Sequence, residues 1–195
     1  MMIRLAVIND AEQILDIYAP YVQNTTISFE DEVPTREEME RRIRHVLENN
    51  AWLVLEEDNK ILGYAYASKH RERSAYRWSA DVSIYVKGSS HRRGIGKALY
   101  TSLLEILKRQ GYCNAYAGIC LPNEKSVGIH EHFGFRKVAQ YNKVGYKLGK
   151  WHDVGWWELF LKQHENEPGE PLPIKAVEPT VLSEAFSHGL QMMNK

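Results

Sequence analysis

The chain has 195 residues, enough for one domain of ordinary size with an appendage and too few for two full domains. With 44% apolar and 26% charged residues, and 25 basic side chains against 25 acidic ones, it reads as a soluble globular protein with no electrostatic bias toward nucleic acid. No apolar run approaches a membrane span, residues 1–10 hold too short an apolar core for a secretory signal, and the two cysteines, Cys113 and Cys120, read as reduced thiols of a cytoplasmic protein.

In chain order, residues 2–8 read as a short strand. Asp10 can cap a helix that places Ile14, Ile17, Tyr18 and Tyr21 on one face. Thr35 with Glu38 is a capping-box pattern for a helix running to about Leu47. Residues 51–56 and 61–69 are apolar and β-prone, and Asp58-Asn59 between them is turn chemistry. A strand follows at 79–86. A strongly periodic helix through Ile95, Leu99, Leu103, Ile106 and Leu107 spans 94–109. A strand at 113–119, a helix over about 123–133 and strands near 135–146 and 153–162 complete the body. Consecutive strands with inserted helices argue for an α+β sheet.

The composition changes near residue 163. The last 32 residues hold four of the seven prolines and an excess of glutamate, which reads as a solvated linker. Beyond it, Leu182, Ala185, Phe186, Leu190 and Met193 recur at helical spacing. Thr180 can cap that helix and Gly189 weakens it. Residues 1–163 are therefore expected to form the domain, and 164–195 a tail that either frays or docks as a helix.

The sharpest local signal is His91-Arg92-Arg93-Gly94-Ile95-Gly96-Lys97 at a strand-to-helix turn. Glycines there let the backbone approach a ligand closely. The first free N–H groups of the helix, with three cations beside them, favour an anion such as a pyrophosphate. A dinucleotide fingerprint needs Gly or Ala where Leu99 stands, and no P-loop Gly-Lys-Ser/Thr is present.

This loop resembles the coenzyme A pyrophosphate loop of the GNAT acetyltransferase superfamily. His91 stands where that family usually has Gln or Arg. Three further segments follow the order and spacing of its phosphinothricin acetyltransferase branch over about residues 3–162: Trp78–Val86, Leu121–Phe135 and Gly149–Trp157. The resemblance implies a GNAT fold, with a mixed, mostly antiparallel sheet of about seven strands and about four flanking helices. It also implies acetyl-CoA as donor, no metal, a small amino-acid-like amine as acceptor, and a homodimer. The loop residues Arg92, Arg93, Gly94, Ile95, Gly96 and Lys97 would hold the coenzyme. Ile84, Tyr85 and Val86 would pair with its pantetheine arm, and Asn123 and Ser126 would contact it across the cleft.

Alternation in 79–86 puts Ala80, Val82, Ile84 and Val86 on one face and Ser79, Asp81, Ser83 and Tyr85 on the other. Asp81 is then a carboxylate in an apolar strand: a base if unpaired, a structural group if paired with an arginine. The resembling enzymes place a catalytic Glu here, which favours the base. The shorter Asp leaves room for a water between carboxylate and amine. His130, before the Gly-Phe signature, is either the acid that protonates the departing thiolate or a surface helix histidine. His130-Glu131-His132 lacks the spacing of a zinc site.

The basic, aromatic segment 69–78 leads directly to Asp81. Arg71 and Arg73 can clamp a carboxylate or phosphinate, and Phe29, Tyr76, Trp78, Trp151 and His152, with Val82 and Ser83 of the strand, can wall a small acceptor pocket. The reading is direct acetyl transfer to the α-amine of a small amino acid or analogue. Its rivals are a protein or peptide N-acetyltransferase, a non-catalytic acyl-CoA sensor and a nucleotide-binding module.

Overall fold

Turn chemistry and periodicity set the elements of the computed structural model, which describes residues 1–194; Lys195, the end of the expected tail, lies outside them. Strand β1 (Met2–Leu5) leads through a 3-10 turn to α1 (Ala11–Asn24). Asp10 stands before that helix without capping it. Its carboxylate accepts instead from Arg4 and from the backbone N–H of Val7. Thr35 does cap α2 (Arg36–Asn49), its Oγ1 accepting from the Glu38 N–H. Strands β2 (Trp52–Glu57) and β3 (Lys60–Lys69) form a hairpin. Asp58 and Asn59 both take positive φ there, as the tightest hairpin turns require. The rest follows as β4 (Ser79–Val86), α3 (Ile95–Gln110), β5 (Asn114–Leu121), α4 (Glu124–His132), β6 (Arg136–Lys147), β7 (Lys150–Phe160) and α5 (Pro179–Gln191).

The seven strands form one sheet in the order β1-β2-β3-β4-β5-β7-β6. Every neighbouring pair is antiparallel except β4 with β5. The fold is α+β as expected, with five α-helices where about four were expected. Ala80 and Val82 pack against α3 on one side of the sheet, while Tyr85 lies among Tyr18, Tyr21 and Tyr64 on the side of α1 and α2. The alternation read from 79–86 is thus the alternation of the folded strand.

The one parallel pair determines the site. β4 and β5 are in register only through Ser79–Asn114, Ala80–Ala115 and Asp81–Tyr116. Beyond Asp81 the strands diverge, and the remainder of β4 loses its partner on that side. Backbone groups cannot be buried there without a hydrogen-bonding partner, so the opening has the character of a ligand slot.

The segment after β7 runs along the body and does not hang in solvent. Leu172 exchanges hydrogen bonds with Gln110, through its own N–H and through Gln110 Nε2. Ile174, Val177 and Ala185 are buried in the same core as α3. Helix α5 starts at Pro179, where a missing N–H costs nothing, so Thr180 is not its cap. Gly189 has a role other than weakening the helix. A Cβ there would run into Ser102 Oγ and stand 2.5 Å from the Ala98 carbonyl oxygen. The bare glycine lets α5 lie against α3, where Ser102 Oγ donates to the Ala185 carbonyl at 2.8 Å. Gly189→Val should overpack this contact and lower stability by about 1–3 kcal/mol. Thermal unfolding with limited proteolysis checks this; an unchanged midpoint with an equally protected tail would refute it.

Candidate active site

The slot between the diverging strands is lined from both sides of the sheet. Tyr100, Asn123, Ser126 and His130 come from α3 and α4. Ile27, Ser83, Tyr85, Gly118 and Cys120 come from the α1–α2 side and the strands. At its outer end stands the glycine loop. Gly94 precedes α3 in the left-handed region (φ 76°), and the Arg92 backbone is left-handed as well (φ 64°). The Ala98 N–H returns to the Gly94 carbonyl, so the N–H groups of Ile95, Gly96 and Lys97 are the unpaired first donors of a sixteen-residue helix. That is a cradle for an anion.

Two expectations about this loop are corrected. Arg93 gives both of its contacts to Glu57, at 2.9 and 3.0 Å, and so its charge is neutralised away from the cradle. A Cβ on Gly96 would point at Ile129, 2.9 Å away, and at Ile84; this glycine lets α4 approach α3, and its Cβ would not point into the pyrophosphate's approach. The Val86 carbonyl is already taken by Tyr21 Oη (2.6 Å) and His91 Nε2 (3.1 Å). His91 therefore closes the end of β4.

Asn123 caps α4, its Oδ1 accepting from the Ser126 N–H, and it lines the slot as well. His130 is buried, with 3% of its surface exposed, so it is not the surface histidine weighed above. Its Nδ1–H donates to the Ser126 carbonyl at 2.6 Å, which leaves Nε2 to accept from the Tyr100 hydroxyl at 2.9 Å. Burial lowers the His130 pKa and raises that of Tyr100. Both groups are therefore neutral, and the proton nearest the slot sits on the tyrosine oxygen.

Asp81 lies at the inner end, two residues before Ser83, or about 7 Å along the strand. Its partner is a histidine, not an arginine: His70 Nδ1 lies 2.6 Å from Asp81 Oδ1. Burial raises the Asp81 pKa, and the hydrogen bond from His70 opposes that shift without cancelling it. The His70 ring stacks on Tyr116 at 4.4 Å and meets Tyr76 and Trp156 edge-on. The Arg71 guanidinium lies over the Trp156 ring.

The chain matches the acetyltransferase (GNAT) domain family over residues 3–156. The chain belongs to the GNAT acetyltransferase family. It is 34% identical to the phosphinothricin N-acetyltransferase of Streptomyces viridochromogenes over 175 residues, covering 90% of this chain and 93% of the relative. It is 31% identical to the L-methionine sulfoximine/L-methionine sulfone acetyltransferase of Salmonella typhimurium, with 84% and 96% covered. Among solved structures it superposes on a phosphinothricin acetyltransferase from Sinorhizobium meliloti, solved in complex with AcCoA. The TM-score is 0.83 at 31% identity, covering 87% of this chain and 94% of that one.

Within this acetyltransferase the expected acceptor residues fall into two groups. Arg71, Tyr76 and Ser83 lie on or beside the Asp81 side of the sheet, and Phe29 and His152 lie close to each other, ring centroids 6.3 Å apart. Arg73 is exposed. Trp78 is turned to the tail, its Nε1–H donating to the Gly169 carbonyl under the Arg77 guanidinium, and so does not wall the pocket. Trp151 is 61% exposed at the β6–β7 turn, against Tyr146. The Val82 side chain is buried toward α3, which leaves only its backbone for the slot. Sequence reasoning missed His70, Tyr100, Tyr116 and Trp156. Strand parity could have found the first: His70 is two residues beyond Ser68, which pairs with Asp81, so its side chain falls on the same face.

Proposed function

We propose that this acetyltransferase moves the acetyl group of acetyl-CoA directly to the α-amine of a small, anionic amino acid or analogue, of the phosphinothricin or methionine sulfone type. The observation that carries this reading is the parting of β4 from β5 immediately after Asp81. The slot it opens lies along β4 between the strand's end, next to the anion cradle at the α3 N-terminus, and the half-buried carboxylate of Asp81. The diphosphate of the donor would rest on the N–H groups of Ile95, Gly96 and Lys97, with Arg92 and Lys97 adding charge. Its pantetheine arm would pair with the open backbone at Ile84 and Tyr85 and pass Asn123 and Ser126. The thioester would then lie beside Ser83, with Asp81 on the base side. On the acid side we assign His130 acting with Tyr100, whose hydroxyl holds the proton available to the thiolate. Among the described residues no group of three or more His, Cys, Asp and Glu side chains could hold a metal ion. Arg71 and Arg73 would hold the acceptor's acidic group.

Cys120 lines the slot, yet among the described residues its thiol makes no hydrogen bond to a base, and His130, which lines the same slot, is engaged by Ser126 and Tyr100. A thiol nucleophile needs such a neighbour, which favours direct transfer over an acyl-enzyme. Among the described residues no helix is long and apolar enough to cross a membrane, and two buried free thiols suit a reducing cytoplasm. We read residues 1–163 as the catalytic domain and 164–195 as a clasp on it. We also read the chain as a homodimer formed through edge strand β6, where Val138, Tyr141, Val144 and Tyr146 are exposed.

Purified protein with acetyl-CoA should release free thiol when given phosphinothricin, methionine sulfoximine or methionine sulfone, followed with a thiol reagent. Turnover only with peptide N-termini would favour a protein acetyltransferase. Tight acetyl-CoA binding with no turnover on any amine would favour a sensor.

A further inference from the structure

The base side of the site holds two groups where the sequence offered one. Ser68 pairs with Asp81 in the β3–β4 register, and the chain leaves β3 one residue after that pair, at Lys69. His70 thus sits diagonal to Asp81 on the acceptor face, and its Nδ1 closes to 2.6 Å from Oδ1. The side chains of His70 and Asp81 are 12% and 28% exposed, so the pair is shielded without being sealed. The imidazole cannot turn freely. Tyr116 lies flat against one face, Trp156 and Tyr76 stand at its edges, and the Arg71 guanidinium donates to the His70 carbonyl. With Nδ1–H given to the carboxylate, the neutral ring carries its lone pair on Nε2. That nitrogen has no partner among the described residues and is not sealed from solvent.

We propose that His70 is the catalytic base of this enzyme, with Asp81 as the group that orients it and fixes its tautomer. The proposal rests on the acetyl-transfer reading above and names the atom that takes the proton, His70 Nε2. Imidazole is the side chain most often used as a general base, and here its Nε2 is free among the described residues while one Asp81 oxygen is already engaged. Asp81 is also one methylene shorter than a glutamate. The ring extends the basic centre by its own width, so no bridging water is needed.

The acceptor's ammonium gives one proton to Nε2, and the freed lone pair forms the N–C bond at the thioester carbonyl carbon. The carbonyl π pair moves to oxygen and returns as the C–S bond breaks. The nitrogen then loses a second proton as the amide forms. One proton ends on the coenzyme thiolate, giving the thiol, and the other leaves the imidazolium for water. Asp81 holds the imidazolium without itself being protonated. The titratable and charged groups facing the ring are Asp81 from β4, Tyr116 from β5, and Tyr76 and Arg71 from its own connection; Trp156 of β7 is neutral.

His70→Asn separates the two roles. The Asn amide can still donate to Asp81 Oδ1, but it carries no basic nitrogen. Its kcat should fall about 10²–10⁴-fold, with little change in acetyl-CoA KM. The acid limb of the kcat/KM profile should lose the step due to the imidazole. Added free imidazole should restore part of the rate in His70→Asn and none in Asp81→Asn, where His70 is still present. An active wild type whose His70→Asn variant keeps its rate and its acid limb overturns this proposal alone and leaves Asp81 as the base. A wild type inactive on the whole amine panel overturns it together with the acetyl-transfer reading. A circular dichroism spectrum and thermal midpoint matching wild type would show that the loss in His70→Asn is not unfolding. If the variant does not fold, the ¹⁵N shifts of the wild-type ring decide: a neutral ring protonated on Nε2 would overturn the proposal.

Discussion

Asp81→Asn should cut turnover by about 10²–10⁴-fold while acetyl-CoA binds as before. The amide removes the charge that steadies a protonated His70, and it can turn over to donate to Nδ1, which would force the imidazole into the unproductive tautomer. None of the expected coenzyme contacts involves the Asp81 side chain, so the loss should appear in kcat. The same variant should be more stable than wild type at neutral pH. Burial holds the folded carboxyl above the usual carboxylate range, whereas the unfolded chain returns it to that range. A raised carboxyl contributes stability below its unfolded pKa, and that contribution is lost as pH rises through the folded value. At neutral pH the charge is therefore a cost, which the neutral amide avoids. The gap in urea midpoint between Asp81→Asn and wild type should be smallest in acid and widen as pH rises through this window. A gap that is flat with pH, or that favours wild type at neutrality, would contradict this account, and an unchanged turnover would remove Asp81 from the chemistry.

Much of this arrangement is legible in the order of residues. Period-two alternation in 79–86 assigned each side chain to its face, because a buried strand with different neighbours on its two sides cannot slip by one residue. Asp58-Asn59, the Thr35 cap and the stripe along α3 are local signals that the structure honours, although the Glu38 carboxylate accepts from Arg41 and Arg42 and does not close the capping box. What escaped depends on partners distant in sequence. The 69–78 segment reads as a basic, aromatic border of the acceptor site, but which of its side chains meets Asp81 depends on the β3–β4 register, and so His70 is passed over. Counting cations around Gly94 misjudged Arg93, because the glutamate that neutralises it is 36 residues earlier. Trp78 next to the reactive strand looks like a pocket wall, but a tail carbonyl 91 residues away captures its indole. Gly189 looks like a weak point in a helix, since its value lies in what the neighbouring helix would otherwise strike.

Lys147 is the extreme case, and its replacement should have the largest effect on stability. Nothing in its local sequence, a Leu-Gly turn before the Lys150 strand start, marks it for burial. It is 6% exposed. Its ammonium donates to the carbonyls of Val22 (2.6 Å), Ser28 (2.7 Å) and Glu30 (2.7 Å). Val22 belongs to the last turn of α1, whose carbonyls lack helical partners, and the other two carbonyls flank Phe29. One charge thus ties the α1–α2 connection to the end of β6. The Phe29 ring rests where a Gly145 side chain would be, and Ile27 of the same connection reaches the slot. Lys147→Met keeps the length of the side chain and removes all three donors. Leaving one buried polar group unpaired costs about 1–3 kcal/mol. Removing the ammonium also ends its own desolvation penalty, and a loop can move to regain water, so three orphaned carbonyls should cost about 3 kcal/mol in total. For a chain of this size that corresponds to a fall of about 6–12 °C in thermal midpoint. If the segment carrying Phe29 walls the acceptor pocket as its sequence reading expects, the acceptor KM should rise while the affinity for acetyl-CoA holds. Differential scanning calorimetry and steady-state kinetics read the two effects separately. A midpoint within a degree or two of wild type would mean that the three carbonyls find other donors. A rise in acetyl-CoA Kd equal to the rise in acceptor KM would mean that the α1–α2 connection supports the whole slot and not one side of it.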